Sequence, residues 1–183
     1  MEDKEKAASG NSKTRIILIA LITAAFVMVI VLLGMHYMNT KKRFHNKNLG
    51  YTLEFDSAEL KYQEIVLNNT DNVRMDRFGV VGSEDLYYLS VSTIDVSTDL
   101  DEALEAFESD ESYSFTREND VTFGSGNYHA RRVSYEDKTG VEPVKVTYYF
   151  DSNHGLFFTV CTDEAHRGLL EKALSTVVIK DRD

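Results

Sequence analysis

Apolar side chains run almost unbroken from Ile16 to Met38, and no charged residue stands between Ile16 and Gly34. A helix of that length reaches about 34 Å at 1.5 Å per residue, against about 30 Å for a hydrocarbon core. Only a helix satisfies its own backbone polar groups in lipid at that length. The pattern therefore predicts one transmembrane helix over 16–38. The run is longer than the roughly 7 to 15 apolar residues of a cleavable signal peptide. Met35, His36, Tyr37 and Met38 also stand where a cleavage site would need small residues. The segment is expected to stay as an anchor.

Beyond residue 48 the period changes. Tyr51, Leu53 and Phe55 alternate with Thr52 and Glu54, the mark of a half-buried strand. Lys61 to Leu67 follows, ending in the turn-forming run Asn68–Asn69–Thr70–Asp71–Asn72. Val73 to Val81 and Leu86 to Val96 read as further strands. Leu100, Ala103, Leu104 and Phe107 then stand at i, i+3, i+4 and i+7, one face of a helix, with Thr98 as its candidate N-cap. Strands return at Val121–Phe123 and Tyr128–Tyr135. Val144, Val146, Tyr148 and Phe150 alternate with Lys145, Thr147 and Tyr149, and Asp151 to Gly155 makes a turn into Leu156–Thr162. Apolar residues occupy both alternate sets of that last strand, which predicts cover on both its faces. Ala165, Leu169, Leu170, Ala173 and Leu174 predict a second amphipathic helix, and Val177–Ile179 a short extended end. Hairpins imply an antiparallel sheet, and the expected class is α+β: a transmembrane helix followed by an antiparallel sheet covered by two helices.

Charge divides the chain in the same place. Residues 1–47 carry eight Lys or Arg and three Asp or Glu, whereas residues 48–183 carry twelve and twenty-seven. The expected organisation is a disordered polar tail over 1–15, the membrane helix over 16–38, a basic juxtamembrane neck over 39–47 and an acidic α+β domain over 48–183. An acidic domain repels polyanions, so nucleic acid is excluded as a partner. Basic residues flank the apolar run on both sides, and the positive-inside rule comes close to a tie. The short N-terminal tail resembles that of a signal anchor, and the C-terminal domain is expected outside the cytoplasm, on a single-pass protein of the cell membrane. The lone Cys161 can form no internal disulfide and says little about compartment.

Three stretches carry a family resemblance. They are Gly50–Tyr51–Thr52–Leu53–Glu54–Phe55, then Gly126 to Tyr135, and then Val146–Phe150 with the turn at Gly155 and Leu156–Val160. Together they resemble PsbP-like domains over about residues 49–180. The resemblance implies an α/β/α sandwich around a central antiparallel sheet, and binding or accessory roles without a shared catalytic centre. It transfers no site residues.

The candidate chemistry is sparse. Gly124–Ser125–Gly126 lies between strand signals, with no helix start after it, and reads as a hairpin turn rather than a phosphate loop. Asp151, Asn153 and Gly155 resemble a calcium loop superficially. The glycine falls one place early, and Thr162 stands at the twelfth position in place of Glu. The five histidines are His36, His45, His129, His154 and His166, and no two stand at i, i+4 on a helix. Cys161 lies mid-strand and reads as a buried, inert thiol. No catalytic, metal or cofactor-binding residues are assigned. His129, Arg131 and Arg132 form the one local basic concentration of the acidic domain, a candidate patch for an anion or partner. Internal salt bridges are the plainer reading of the same residues. The acidic stretch Asp99 to Glu111 reads as a solvated helix face.

The function expected on these grounds is a single-pass, membrane-anchored binding or accessory domain with no enzymatic activity. Its partners would be the lipid bilayer, through Ile16 to Met38, and a protein still to be identified; no cofactor is expected. The alternative is a membrane-anchored enzyme whose active-site residues are dispersed along the sequence.

Overall fold

The computed structural model describes residues 18–19, 21–35, 40–68, 73–93, 113–137 and 143–180. The chain divides into two compact units, Met1–Lys41 and Lys42–Asp183. In the first, residues 18–19 and 21–35 are helical (α1), and the apolar side chains are exposed along it. Thr23 is absorbed by the helix itself, its hydroxyl donating to the Ile19 carbonyl at 2.9 Å.

Among the described residues no helix is long and apolar enough to cross a membrane. The continuous stretch 21–35 reaches only about 22 Å. Ile16 and the residues His36 to Met38 fall outside the described residues. This corrects the expected transmembrane helix over Ile16 to Met38, together with the cell-membrane localisation drawn from it.

The second unit is mainly β. Its strands are β1 (Lys41–Asn46), β2 (Tyr51–Asp56), β3 (Leu60–Asn68), β4 (Val73–Val80), β5 (Tyr88–Thr93), β6 (Tyr113–Phe123), β7 (Tyr128–Asp137), β8 (Val144–Asp151), β9 (Leu156–Thr162) and β10 (Val178–Ile179). One helix, α2 (Arg167–Ser175), lies between β9 and β10. The strands form a three-stranded sheet, β1-β2-β10, and a seven-stranded sheet, β3-β4-β5-β9-β8-β7-β6. This corrects the expected α+β, α/β/α sandwich. Among the described residues the layer packed on the large sheet is built from a small second sheet and the helix α2. The first of the two covering helices, expected at Leu100 to Phe107, lies outside the described residues, as does the acidic stretch Asp99 to Glu111.

The period-two pattern accounts for most of the strands. In β2 Tyr51 and Leu53 are fully buried, and in β9 Leu156, Phe158 and Val160 face the same core. The core joins Phe78 of β4, Leu89 and Val91 of β5 and Phe158 of β9 to Leu170, Ala173 and Leu174 of α2 and Ile179 of β10. Burial on this scale drives the two layers together through apolar area removed from water. The other face of the large sheet carries a smaller apolar cluster around Val133 and Phe150, with Phe115, Tyr148 and Phe157 against it. Both faces of β9 are thus occupied, as its two apolar sets predict.

One buried carboxylate ties the two sheets. Asp76 of β4 is 3% exposed. It accepts hydrogen bonds from Tyr51 of β2 and the Asn46 side chain of β1, both at 2.6 Å, and from Tyr62 of β3 at 3.0 Å. At the far end the hairpin turn after β6 is sewn to the segment joining α2 to β10. The Ser125 N–H donates to the Val177 carbonyl at 2.9 Å, and the Tyr128 hydroxyl donates to the Ile179 carbonyl at 3.0 Å. Gly124 is required there. Its φ is +68°, and a Cβ would stand 2.8 Å from the Val177 carbonyl oxygen.

Removing the Tyr51 hydroxyl leaves a buried carboxylate short of one donor. Tyr51→Phe should lower the unfolding free energy by about 1–3 kcal/mol. Tyr62→Phe, at the more exposed phenol, should cost less. Urea titration of both variants checks the order.

Candidate functional site

Alternation along β7 separates the expected basic patch. Arg131 pairs in register with Phe150 and Arg132 with Tyr149, so the two guanidinium groups leave opposite faces of the sheet. Arg132 forms an ion pair with Glu118 across the β6–β7 pair. His129 meets Asp120 at 2.7 Å, with both side chains mostly exposed. Exposed pairs of this kind contribute roughly 0–1 kcal/mol. Alternation thus leaves His129 and Arg131 on one face of β7 and Arg132 on the other.

Two further histidines repeat a single local device. Asp151, fully buried, accepts from the Asn153 and His154 N–H groups through Oδ1 and meets the His154 ring nitrogen at 2.7 Å through Oδ2. Asp163 accepts from the His166 N–H at 2.8 Å and meets the His166 ring at 2.7 Å. Both are Asp-x-x-His turns in which the carboxylate closes the backbone and holds the imidazole. The loop read as a superficial calcium motif uses both Asp151 oxygens in this way. His166 stacks on Tyr87 with ring centroids 4.7 Å apart, and His154 stands edge-on to Tyr128 at 5.6 Å. Partial burial would raise the Asp163 carboxyl, but the backbone and ring hydrogen bonds from His166 outweigh it and hold the group below its ordinary value. Among the described residues no group of three His, Cys, Asp or Glu side chains is placed to hold a metal ion.

Cys161 lies on the outer face of β9, opposite Tyr88 and Val146. Burial pushes its thiol up to about 11, and the opposing pull of the nearby Arg77 charge is smaller. A thiol so shifted is a poor nucleophile at neutral pH. Arg77 itself lies over the Tyr88 ring at 4.5 Å and pairs with Asp85 at 2.8 Å. Tyr148, stacked on Phe157 at 5.2 Å, is raised above the ordinary phenol range by burial and then by Tyr135. These groups form a packed aromatic face.

The sequence did not single out the surface that stands out most. In the second unit the large hydrophobic side chains left exposed among the described residues are Tyr62 at 37%, Val66 at 50%, Val81 at 51% and Leu86 at 62%. Tyr62 and Val66 belong to β3, the edge of the large sheet. Val81 and Leu86 belong to the β4–β5 turn beside it, where the Val81 N–H donates to the Glu59 carbonyl at 2.9 Å. The turn folds tightly against β4, since a Cβ on Gly79 would come within 2.6 Å of Glu84 Cα. The run Lys61 to Leu67, ended by turn residues, pointed to a strand; its position at a sheet edge carries no local signal.

No protein-family model matches this chain, and no curated protein matches it.

The lowered Asp163 carboxyl stabilises the fold above the ordinary carboxylate range, and that contribution is lost as pH falls through its folded value. Asp163→Asn should flatten the acid limb of the stability–pH profile by lowering stability at pH 7, with the difference from the unmodified chain narrowing toward pH 3, as followed by thermal melts from pH 3 to 7. For Cys161, alkylation at pH 8 should run on the order of 10- to 100-fold slower in the folded protein than in urea. Equal rates in the two states would contradict the buried thiol.

Proposed function

We propose that the second unit is a non-catalytic binding or accessory module that works through a protein partner. The observation that carries the reading is the β3 edge of the large sheet, beyond which no strand lies among the described residues, with Val66 exposed toward one end and Val81 and Leu86 exposed in the turn at the other. An unpaired strand edge with exposed apolar side chains set among charged ones is a surface suited to a protein partner, and here Lys61, Glu64, Arg74 and Asp85 are the exposed charges. The titratable groups best placed for chemistry serve the structure instead. Asp76, Asp151 and Asp163 are engaged by phenol, amide and imidazole donors, and the thiol of Cys161 is raised.

A photo-reactive residue at Leu86 in the full chain should give one discrete cross-linked protein species in cells. The same residue at Arg117, on the opposite edge strand, should not. Replacing Val81 with Asp in the same chain should reduce the Leu86 adduct at least several-fold without lowering the melting temperature. Equal, diffuse labelling at Leu86 and Arg117 would refute the reading.

A further inference from the structure

The large sheet has two edges, and they differ. The β6 edge carries a register irregularity between Glu118 and Val121 and presents Arg117, Glu118, Asn119 and Asp120 there. Bulges and charges of this kind defend an edge against pairing with another strand. The β3 edge pairs with β4 without interruption from Leu60 to Val66, and its one irregularity lies at its far end, between Val66 and Asn68. It contains no proline.

The direction of its backbone groups follows from two bonds. Val81 N–H donates to Glu59 on the β3 side, while Val80 N–H donates to Tyr87 on the β5 side, each at 2.9 Å. An antiparallel ladder alternates residue by residue. The backbone groups of Leu60, Tyr62, Glu64 and Val66 therefore point away from β4, toward the open edge. Among the described residues no strand lies beyond β3 in this sheet.

We propose that this edge pairs with the same edge of a second copy of the chain, antiparallel about a two-fold axis at Gln63, joining the two large sheets into one. The proposal rests on the protein-binding reading above and names the partner. Directly opposed residues must share a face, which limits the registers. Centring on Glu64 would oppose two like charges. Centring on Gln63 sets Gln63 against the partner's Gln63, Tyr62 against the partner's Glu64, Lys61 against the partner's Ile65, and Leu60 against the partner's Val66. No like charges meet. The exposed Val66 is covered by the partner's Leu60, and all four outward-facing residues enter the ladder, with about eight interchain hydrogen bonds. The same patch serves both copies, as two-fold association requires. Strand addition of this type draws affinity from main-chain bonds and specificity from alternate side chains.

The pairing predicts one specific disulfide. In the full chain carrying Cys161→Ser, Gln63→Cys places two thiols in a directly opposed pair that is not hydrogen-bonded, where Cβ atoms approach to about 4.5–5.5 Å. Mild oxidation should give a covalent dimer at least tenfold faster than Lys61→Cys, whose thiols would stand four residues out of register. Sedimentation of the unmodified chain should show a dimer whose share rises with salt, because both copies are acidic and salt screens their repulsion. Val66→Lys should lower that share about tenfold with an unchanged melting temperature. A monomer at about 100 µM, or a Gln63→Cys rate no greater than that of Lys61→Cys, would overturn self-pairing. If Leu86 still captures a different protein under those results, the binding reading survives and the self-pairing falls; if Leu86 captures nothing, both fall.

Discussion

The buried carboxylate of Asp76 is the constraint on which the arrangement of the two sheets depends. A carboxylate removed from water is costly unless hydrogen bonds replace its hydration. The replacement here comes from three strands at once: Asn46 of β1, Tyr51 of β2 and Tyr62 of β3. Apolar contact alone would hold the small sheet against the large one while tolerating a slide between them. The donors must converge on two oxygen atoms, and that fixes register as well as proximity. The raised phenol of Tyr51, driven first by its burial and then by the Asp76 charge, is the same coupling seen from the donor side.

Around that point the ends of the sheet are closed by short polar devices. Asp151 and Asp163 each fold a turn onto a histidine, and Ser125 and Tyr128 bind the backbone just before and within β10. Such side-chain-to-backbone bonds satisfy groups that the ladders leave over at strand ends. They engage aspartates and histidines, residue types usually read as chemistry, in closing turns of this domain. Among the described residues no such closure lies along the β3 edge, where Tyr62 and Val66 are exposed. Neither β3 nor β6 has a strand beyond it among the described residues, and the β6 edge differs in carrying a register irregularity at its charged residues.

Local pattern made much of this legible. Alternation at Val144–Phe150 and Leu156–Thr162, with turn residues between them, identified the β8–β9 hairpin. Spacing of Leu169, Leu170, Ala173 and Leu174 identified α2. Other elements were hidden for physical reasons. β1 is a polar, basic stretch whose only inward anchors are Phe44 and Asn46, so it resembled a neck. β6 begins at Tyr113, well before its apolar end at Val121–Phe123, because an edge strand faces water along much of its length. The basic residues of β7 looked like a patch in the linear sequence; pairing sends Arg131 and Arg132 to opposite faces.

The sequence by itself determined the period of each segment, the division of charge between the N-terminal stretch and the domain, and the turns whose residue types admit few conformations. These are properties of neighbours within a few positions. Which strands are adjacent, which strand becomes an edge, and which carboxylate meets three donors depend on contacts between residues far apart in the chain. Asp76 lies twenty-five positions from Tyr51 and thirty from Asn46. Hydropathy registers the length of the apolar run near the start, but among the described residues no helix is long and apolar enough to cross a membrane. Tertiary structure decided these matters because burial and convergence in space, and not local propensity, set the cost of leaving a charge, an edge or an apolar side chain exposed.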